Sequence, residues 1–510
     1  VLIDGSTVNQ HRERRIKVIK MFPPNPSNYK ILSYIFGIRR MCLTILLYSF
    51  LVTLTRCALL IINFIYFRAN GAEIYKSHTT HLSLIMKRNK FIVLLILVIF
   101  FVISFVTNIL GPLMPAIIDN YRLSLTMAAF LPFSFFLAYG IMSIPSGMMI
   151  ETLGEKTSLL IAFGLTFTGA ILFALFPVYA IALTSLFIIG AGMAMLQVII
   201  NPLLRETGGE ENFAFYSVMA QLVFGAASFI SPYVFVYLVH ELTGYTGGGN
   251  FMIHILSRLI PPDLPWSSLY WLFSFVFILM LLIIGIIRLP RVEMTDEEKP
   301  GPLKTYGILF RERKVWFFFV GLIAYVGTEQ GLANWMSKFL NTYHGIDPEG
   351  AGAATISWFW GMMSVGCLLG LLLLKLLDSR LVLKIFTLLA MICVALALFG
   401  TGSMALYAFP AAGFFLSVMY SVVFSLALNS MTSHHGAFSG ILCSGIFGGA
   451  LVPLIIGWLG DRIGLRLGMT FLFVTLSYIM AIAFWARPLI NNKTVSPGEL
   501  LKIGRKGEKV

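Results

Sequence analysis

Phe91-Ile92-Val93-Leu94-Leu95-Ile96-Leu97-Val98-Ile99-Phe100-Phe101-Val102-Ile103-Ser104-Phe105-Val106-Thr107 carries only two polar side chains, Ser104 and Thr107, and no charge. Extended to residue 117, it is long enough to cross a bilayer as one helix, with its backbone polar groups satisfied inside the segment. Met86-Lys87-Arg88-Asn89-Lys90 stands directly before it, an ordinary start for an inner-membrane protein. Comparable runs recur as far as Trp485. The expected spans are 91–117, 125–150, 157–177, 180–204, 213–239 and 267–289, then 312–339, 352–375, 381–401, 404–429, 435–459 and 465–487. A transmembrane β-barrel would show short alternating segments, and the sequence has none. The expectation is an all-α polytopic membrane protein with 12 transmembrane helices in two six-helix bundles.

Composition agrees: of 510 residues, 58% are hydrophobic and 12% charged, which excludes an ordinary soluble domain. The formal net charge of +14 lies in joints and tails, so it reads as membrane topology and not as a nucleic-acid surface. Cys42, Cys57, Cys367, Cys393 and Cys443 fall in apolar stretches without metal spacing and read as buried hydrophobes, neither disulfide nor zinc.

Residues 1–85 hold a basic cluster (Arg12, Arg14, Arg15, Lys17, Lys20) and an apolar stretch from Met41 to Phe67 interrupted by Arg56. They read either as upstream sequence or a poorly ordered appendage, or as an extra membrane or interfacial helix, and not as a cleavable signal. The remaining organisation is a bundle over 86–289, a linker over 290–311, a second bundle over 312–489 and a tail over 490–510. Arg288, Arg291, Lys299, Lys304, Arg311, Arg313 and Lys314 crowd the joint, so the positive-inside rule puts it in the cytoplasm, with the core N-terminus and the C-terminal tail. The joint 240–266, rich in Gly and Pro, is expected to be a flexible external cap.

The halves carry weak internal symmetry. Phe105-Val106-Thr107-Asn108-Ile109-Leu110-Gly111 opens the first and Tyr325-Val326-Gly327-Thr328-Glu329-Gln330-Gly331 the second; Gly225-Ala226-Ala227-Ser228-Phe229-Ile230-Ser231-Pro232 parallels Gly448-Gly449-Ala450-Leu451-Val452-Pro453. Repeated six-helix units that rock against one another are a transporter design.

With Gly190-Ala191-Gly192-Met193-Ala194-Met195-Leu196-Gln197-Val198-Ile199-Ile200-Asn201-Pro202 and Tyr420-Ser421-Val422-Val423-Phe424-Ser425-Leu426-Ala427-Leu428, the chain resembles a major facilitator superfamily transporter over about 87–488. Within the superfamily it is similar to the fucose permease or fucose-galactose-glucose:proton symporter group. The resemblance implies the major facilitator fold of two pseudo-symmetric six-helix bundles, alternating access, a sugar substrate and a monomer. It also implies acids in the first and fourth spans, where this chain offers Gly111 after Asn108, and Gln197. Glu329 resembles the seventh-span Glu of some carriers in the group.

A carboxylate at Glu329, inside an apolar run and with no Lys or Arg deep in the spans, is suited to face a polar cavity and handle a proton, a cation or a ligand hydroxyl. Sugar recognition needs amides and an aromatic face. Asn108, Gln197, Asn201, Gln221, Gln330, Asn334 and Asn429 supply the amides, and Trp335 is the expected platform. Gln197 and Asn201 share a helical face, as do Gln330 and Asn334. For each amide the competing reading is a helix–helix hydrogen bond, and for Trp335 it is packing. In Gly147-Met148-Met149-Ile150-Glu151-Thr152-Leu153-Gly154-Glu155-Lys156 the residues Gly147, Glu151, Gly154 and Lys156 resemble a degenerate superfamily loop signature, with Asp378 and Arg380 as counterparts; together they would latch the halves on the cytoplasmic side. Gly457-Trp458-Leu459-Gly460-Asp461-Arg462-Ile463-Gly464 is closer to that signature but falls on the opposite side, and is given no latch role.

His434 and His435 read as loop residues, and no phosphate loop, metal signature or nucleophilic triad stands out, so no cofactor and no enzymatic activity are expected. The expected function is import of a hexose or related small polar sugar, coupled to protons or alternatively to sodium. The alternative is a carrier for another small metabolite or an amphipathic drug-like compound, sodium-coupled or uncoupled. The lipid bilayer and the solute are the partners expected.

Overall fold

The computed structural model describes residues 90–208, 213–243, 245, 251–287, 289, 303–431 and 435–487. The expectations for 1–85 and for the tail 490–510 lie outside the described residues, as does most of the charged joint.

Among the described residues twelve helical spans are long and apolar enough to cross a membrane: α1 (Phe91–Tyr121), α2 (Leu125–Ile150), α3 (Glu155–Leu175), α4 (Tyr179–Leu204), α5 (Met219–Leu242), α6 (Pro265–Ile286), α7 (Arg313–His344), α8 (Pro348–Gly370), α9 (Ser379–Phe399), α10 (Gly402–Leu428), α11 (Ala437–Ile463) and α12 (Leu465–Trp485). The packing repeats between the halves. α4 lies against α2 and α3, and α3 against α6; in the second half α10 lies against α8 and α9, and α9 against α12. The halves meet along α2–α11, α5–α8 and α1–α7.

Small residues set how closely these helices approach, because lipid offers no hydrophobic drive for helix association and backbone contact has to supply it. A Cβ on Gly190 of α4 would stand 2.2 Å from the Phe135 carbonyl oxygen of α2. A Cβ on Gly111 of α1 would stand 2.3 Å from the Ala333 carbonyl oxygen of α7. The first contact lies within a half and the second between halves, so they serve different ends. Gly190→Ala is expected to destabilise the protein by about 1–3 kcal/mol through overpacking, seen as a lower unfolding temperature in detergent. Gly164→Ala, where a Cβ meets nothing within 4 Å, should leave that temperature unchanged.

One span is broken. Residues 108 and 109 form a turn between the α-helical stretches Lys90–Thr107 and Leu110–Tyr121. Pro112 has no N–H with which to bond the Asn108 carbonyl four residues back, so the ladder fails where the first polar amide of α1 sits.

The joint expected to be a flexible cap contains a nine-residue helix, Phe251–Leu259, and a 3-10 turn, Pro265–Ser267. Ile253 and Leu256 are buried against the protein, while Phe251, Ile255 and Leu259 recur every four residues on an exposed apolar face. The helix lies between Gly247-Gly248-Gly249 and Pro261-Pro262, whose weight in the composition of the joint hid it in the sequence.

Candidate transport site

Glu329 sits half-buried midway along α7, on the side of that helix nearest α10 and α8. Its carboxylate is hydrogen-bonded to the Tyr325 hydroxyl one turn earlier and accepts from Gln330 Nε2 at 3.2 Å. The same Gln330 amide reaches Asn108 Oδ1 on α1 at 3.4 Å, and Asn108 Nδ2 donates to Ser228 Oγ on α5 at 2.8 Å. Ser228 and Ser104 share a hydroxyl–hydroxyl bond of 2.6 Å, and Ser104 also donates to the Phe224 carbonyl. A continuous polar line thus runs from Glu329 in the second half into α1 and α5 of the first.

Tyr325 faces Tyr420 of α10 with ring centroids 5.8 Å apart. Tyr420 opens onto a cavity of about 350 Å³ lined by Gln221, Tyr420, Ser421, Phe424, Ser425, Leu428 and Asn429. That volume is at the small end of the range for ligand pockets. Tyr420 and Phe424 are stacked, centroids 5.7 Å apart with planes 23° from parallel. The cavity lies at the rim where α5 begins and α10 ends.

The opposite rim, where α2 begins and α11 ends, is fastened across the halves. Asp461 Oδ1 accepts the Leu125 N–H at 2.8 Å, and Oδ2 accepts the Thr126 N–H at 2.8 Å and the Thr126 hydroxyl at 2.5 Å. These amides belong to the first turn of α2, which has no helical partners for its N–H groups and carries the positive end of the helix dipole. Beside it Lys338 of α7 pairs with Asp119 of α1 at 3.1 Å. The halves are therefore fastened at this rim, and the cavity lies at the other.

The residues singled out in the sequence separate into groups. Gln221 and Asn429 line the cavity; Asn108, Gln330 and Glu329 form the polar line. Asn334 is buried and donates to the Gln330 carbonyl in its own helix. Gln197 is half-buried on α4 and already engaged, while the side chain of Asn201 lies outside the described residues. Trp335 is corrected: it is fully buried between α7 and α11, its indole N–H donating to the Pro453 carbonyl at 3.0 Å, so it packs the second half and presents no face to the cavity. Tyr420 and Phe424 provide the aromatic surface there. Their signal was readable, since Tyr420, Phe424 and Leu428 recur every four residues beside Ser421 and Ser425.

Of the latch residues whose side chains are described, Lys156, Asp378 and Arg380 bond within their own half. Gly147 is buried in α2, and Gly154 turns the chain between α2 and α3 with φ +78°, a conformation glycine adopts without strain. Lys156 donates to the Gly285 carbonyl at 2.8 Å within the same half. Asp378 caps α9 by accepting the Arg380 N–H at 2.7 Å and pairs with the Arg380 guanidinium at 3.3 Å. Partial burial acts to raise the Asp378 carboxyl, but the hydrogen bonds and charge of Arg380 outweigh it and hold the group below its ordinary value. The side chain of Glu151 lies outside the described residues. Among the described residues no group of three or more His, Cys, Asp or Glu could hold a metal ion.

Twelve spans among the described residues, in two repeated halves fastened at one rim and cavity-bearing at the other, define a polytopic membrane protein. The Major Facilitator Superfamily model matches residues 96–449, and the chain belongs to that superfamily, a family of transporters and not of enzymes. It is 29% identical over 388 residues to a glucose/galactose transporter of Brucella abortus biovar 1 (strain 9-941), covering 75% of this chain and 90% of the relative. It is 23% identical over 387 residues to the L-fucose-proton symporter of Escherichia coli (strain K12), covering 72% and 86%. Among solved structures, the outward conformation of the fucose transporter FucP superposes with a TM-score of 0.58 at 20% identity, covering 79% of this chain and 100% of that one. An inward-facing, unoccupied bacterial homolog of the human lysosomal transporter Spinster gives 0.60 at 17% identity, covering 79% and 97%.

Proposed function

We propose that this protein is a secondary carrier that imports a hexose or a related small polar sugar across the bacterial inner membrane, coupled to protons through Glu329. The observation that carries the reading is the cavity of amides, hydroxyls and stacked rings whose Tyr420 wall leads through Tyr325 to the carboxylate of Glu329. Amides and hydroxyls suit sugar hydroxyls, and the Tyr420–Phe424 face suits the apolar side of a pyranose ring. The relatives named for glucose, galactose and fucose support the same class of solute. In this reading the Asp461 rim is extracytoplasmic and the cavity opens to the cytoplasm, as the basic joints also suggest.

The test is uptake of labelled D-glucose, D-galactose, L-fucose and other hexoses into proteoliposomes containing the full chain, under an imposed proton or sodium gradient. Accumulation driven by the proton gradient is the expected result. Accumulation driven by sodium would replace the coupling ion, and the absence of saturable uptake of any sugar would sink the hexose reading. Tyr420→Ala is expected to weaken half-saturation by roughly threefold to tenfold, the worth of an aromatic contact beyond its buried area. Trp335→Phe should leave half-saturation unchanged while lowering thermal stability, because the indole bonds protein and not solute.

A further inference from the structure

Asn108 is 4% exposed and its amide is already spent on protein partners, which is a poor arrangement for a sugar ligand and a good one for a relay. The direction of its hydrogen bonds is fixed from behind. The Phe224 carbonyl can only accept, so the Ser104 hydroxyl donates to it at 2.5 Å. The Ser228 hydroxyl proton then goes to Ser104 or to the same carbonyl, at 2.6 or 3.2 Å. In either case Ser228 Oγ has only lone pairs left for Asn108, so the amide must turn its NH2 toward Ser228 and its oxygen toward Gln330.

Gln330 Nε2 carries two hydrogens and meets two acceptors, Glu329 Oε1 in its own half and Asn108 Oδ1 in the other. Each acceptor takes one hydrogen, and where the amide rests between them follows the stronger of the two bonds. A charged carboxylate is the stronger, by roughly a factor of two in hydrogen-bond energy. When Glu329 takes a proton that advantage goes, and the amide is freed toward Asn108.

Resting on the reading of Glu329 as the coupling acid, we propose that Asn108, positioned by Ser228 and Ser104, is the residue through which the first half senses the protonation of Glu329. The Gln330–Asn108 bridge strengthens on protonation and so favours closure of the rim held by Asp461. The sign suits a symporter, in which the proton-loaded carrier must be able to close outside. The ionisable groups set against Glu329 are Tyr325 on α7, Cys367 on α8 and Tyr420 on α10, with the Cys443 thiol of α11 behind Tyr420. From α1 and α5 the facing groups are Asn108, Ser104 and Ser228, which do not titrate.

The test needs no solute. Phe176 and Phe399 are exposed at the end of α3 and α9, on the closed rim and in different halves. Spin labels on noncanonical residues at these two positions of the full chain in liposomes give an inter-half distance with every native cysteine kept. In the wild type the short-distance population is expected to rise about fivefold relative to the long one between pH 8 and pH 5, as one hydrogen bond's worth predicts. Glu329→Gln should abolish the rise, and so should Asn108→Ala and Ser228→Ala, while Ser228→Thr retains it. Loss of the rise in Glu329→Gln with its full survival in Asn108→Ala and Ser228→Ala would overturn the relay and leave Glu329 as the coupling acid. A rise that persists in Glu329→Gln, or a wild-type distance indifferent to pH, would overturn the coupling reading itself. Should Asn108→Ala fail to fold, Ser228→Ala decides.

Discussion

Glu329→Gln is expected to abolish sugar accumulation while leaving exchange of sugar across the membrane intact. A neutral solute takes no energy from a membrane potential on its own. One coupled proton supplies about 2.3 kcal/mol per 100 mV, enough to concentrate the solute about 50-fold. Gln keeps the size of Glu329 and its capacity to bond Tyr325 and Gln330 but cannot exchange a proton. The variant should therefore equilibrate sugar to an inside-to-outside ratio near one and sustain counterflow at a rate insensitive to external pH. Uptake and counterflow in the same proteoliposomes check both. Accumulation that survives with its pH dependence would remove Glu329 from coupling; loss of counterflow as well would make it a solute ligand or a structural residue.

Asp461→Ala is expected to open the rim that this conformation holds closed. The substitution removes three hydrogen bonds to the first turn of α2, two of them to N–H groups that α2 cannot satisfy itself. Asp461 is exposed, so solvent recovers part of the loss. A net shift of about tenfold toward the open population is the reasonable scale. The neighbouring Lys338–Asp119 pair is weaker support, since the Asp119 side chain is 70% exposed and such pairs contribute about 0–1 kcal/mol. Asp119→Asn should accordingly shift the population by no more than about threefold. The Phe176–Phe399 distance reads both variants. An Asp461→Ala protein as closed as the wild type would show that the glycine contacts at Gly111 and Gly457 hold the rim without the carboxylate.

Much of the fold was legible from hydropathy. Long apolar runs, the basic joint and the repeated Gly and Pro order gave the spans and the two halves, because a segment in lipid must satisfy its own backbone and so announces itself by length and composition. Ends were less certain: the fifth helix begins at Phe213 as expected, but the seventh continues to His344 past the expected 339. The site was legible in part. Glu329, Gln330 and Asn108 were chosen as rare polar residues in apolar runs, and they meet. Trp335 was chosen for its nearness to Glu329 in sequence, yet six residues place it on a different side of α7, where α11 covers it. Asp461 was set aside for lying on the wrong side for the family's latch, and its contact with Leu125 and Thr126 spans more than 330 residues of chain.

The sequence by itself determined that residues from about 91 to 487 form a membrane protein of twelve spans, where its uncommon polar groups fall along each span, and which superfamily it resembles. Only the tertiary structure decided which of those groups face a cavity, which face another helix and which rim is closed. In a soluble helix, water on one side and core on the other write that answer into the apolar periodicity. Here lipid and protein interior are equally apolar, so a helix such as α5 shows no preferred apolar face, and the direction of Gln221, Ser228 or Tyr420 is settled by how the spans pack.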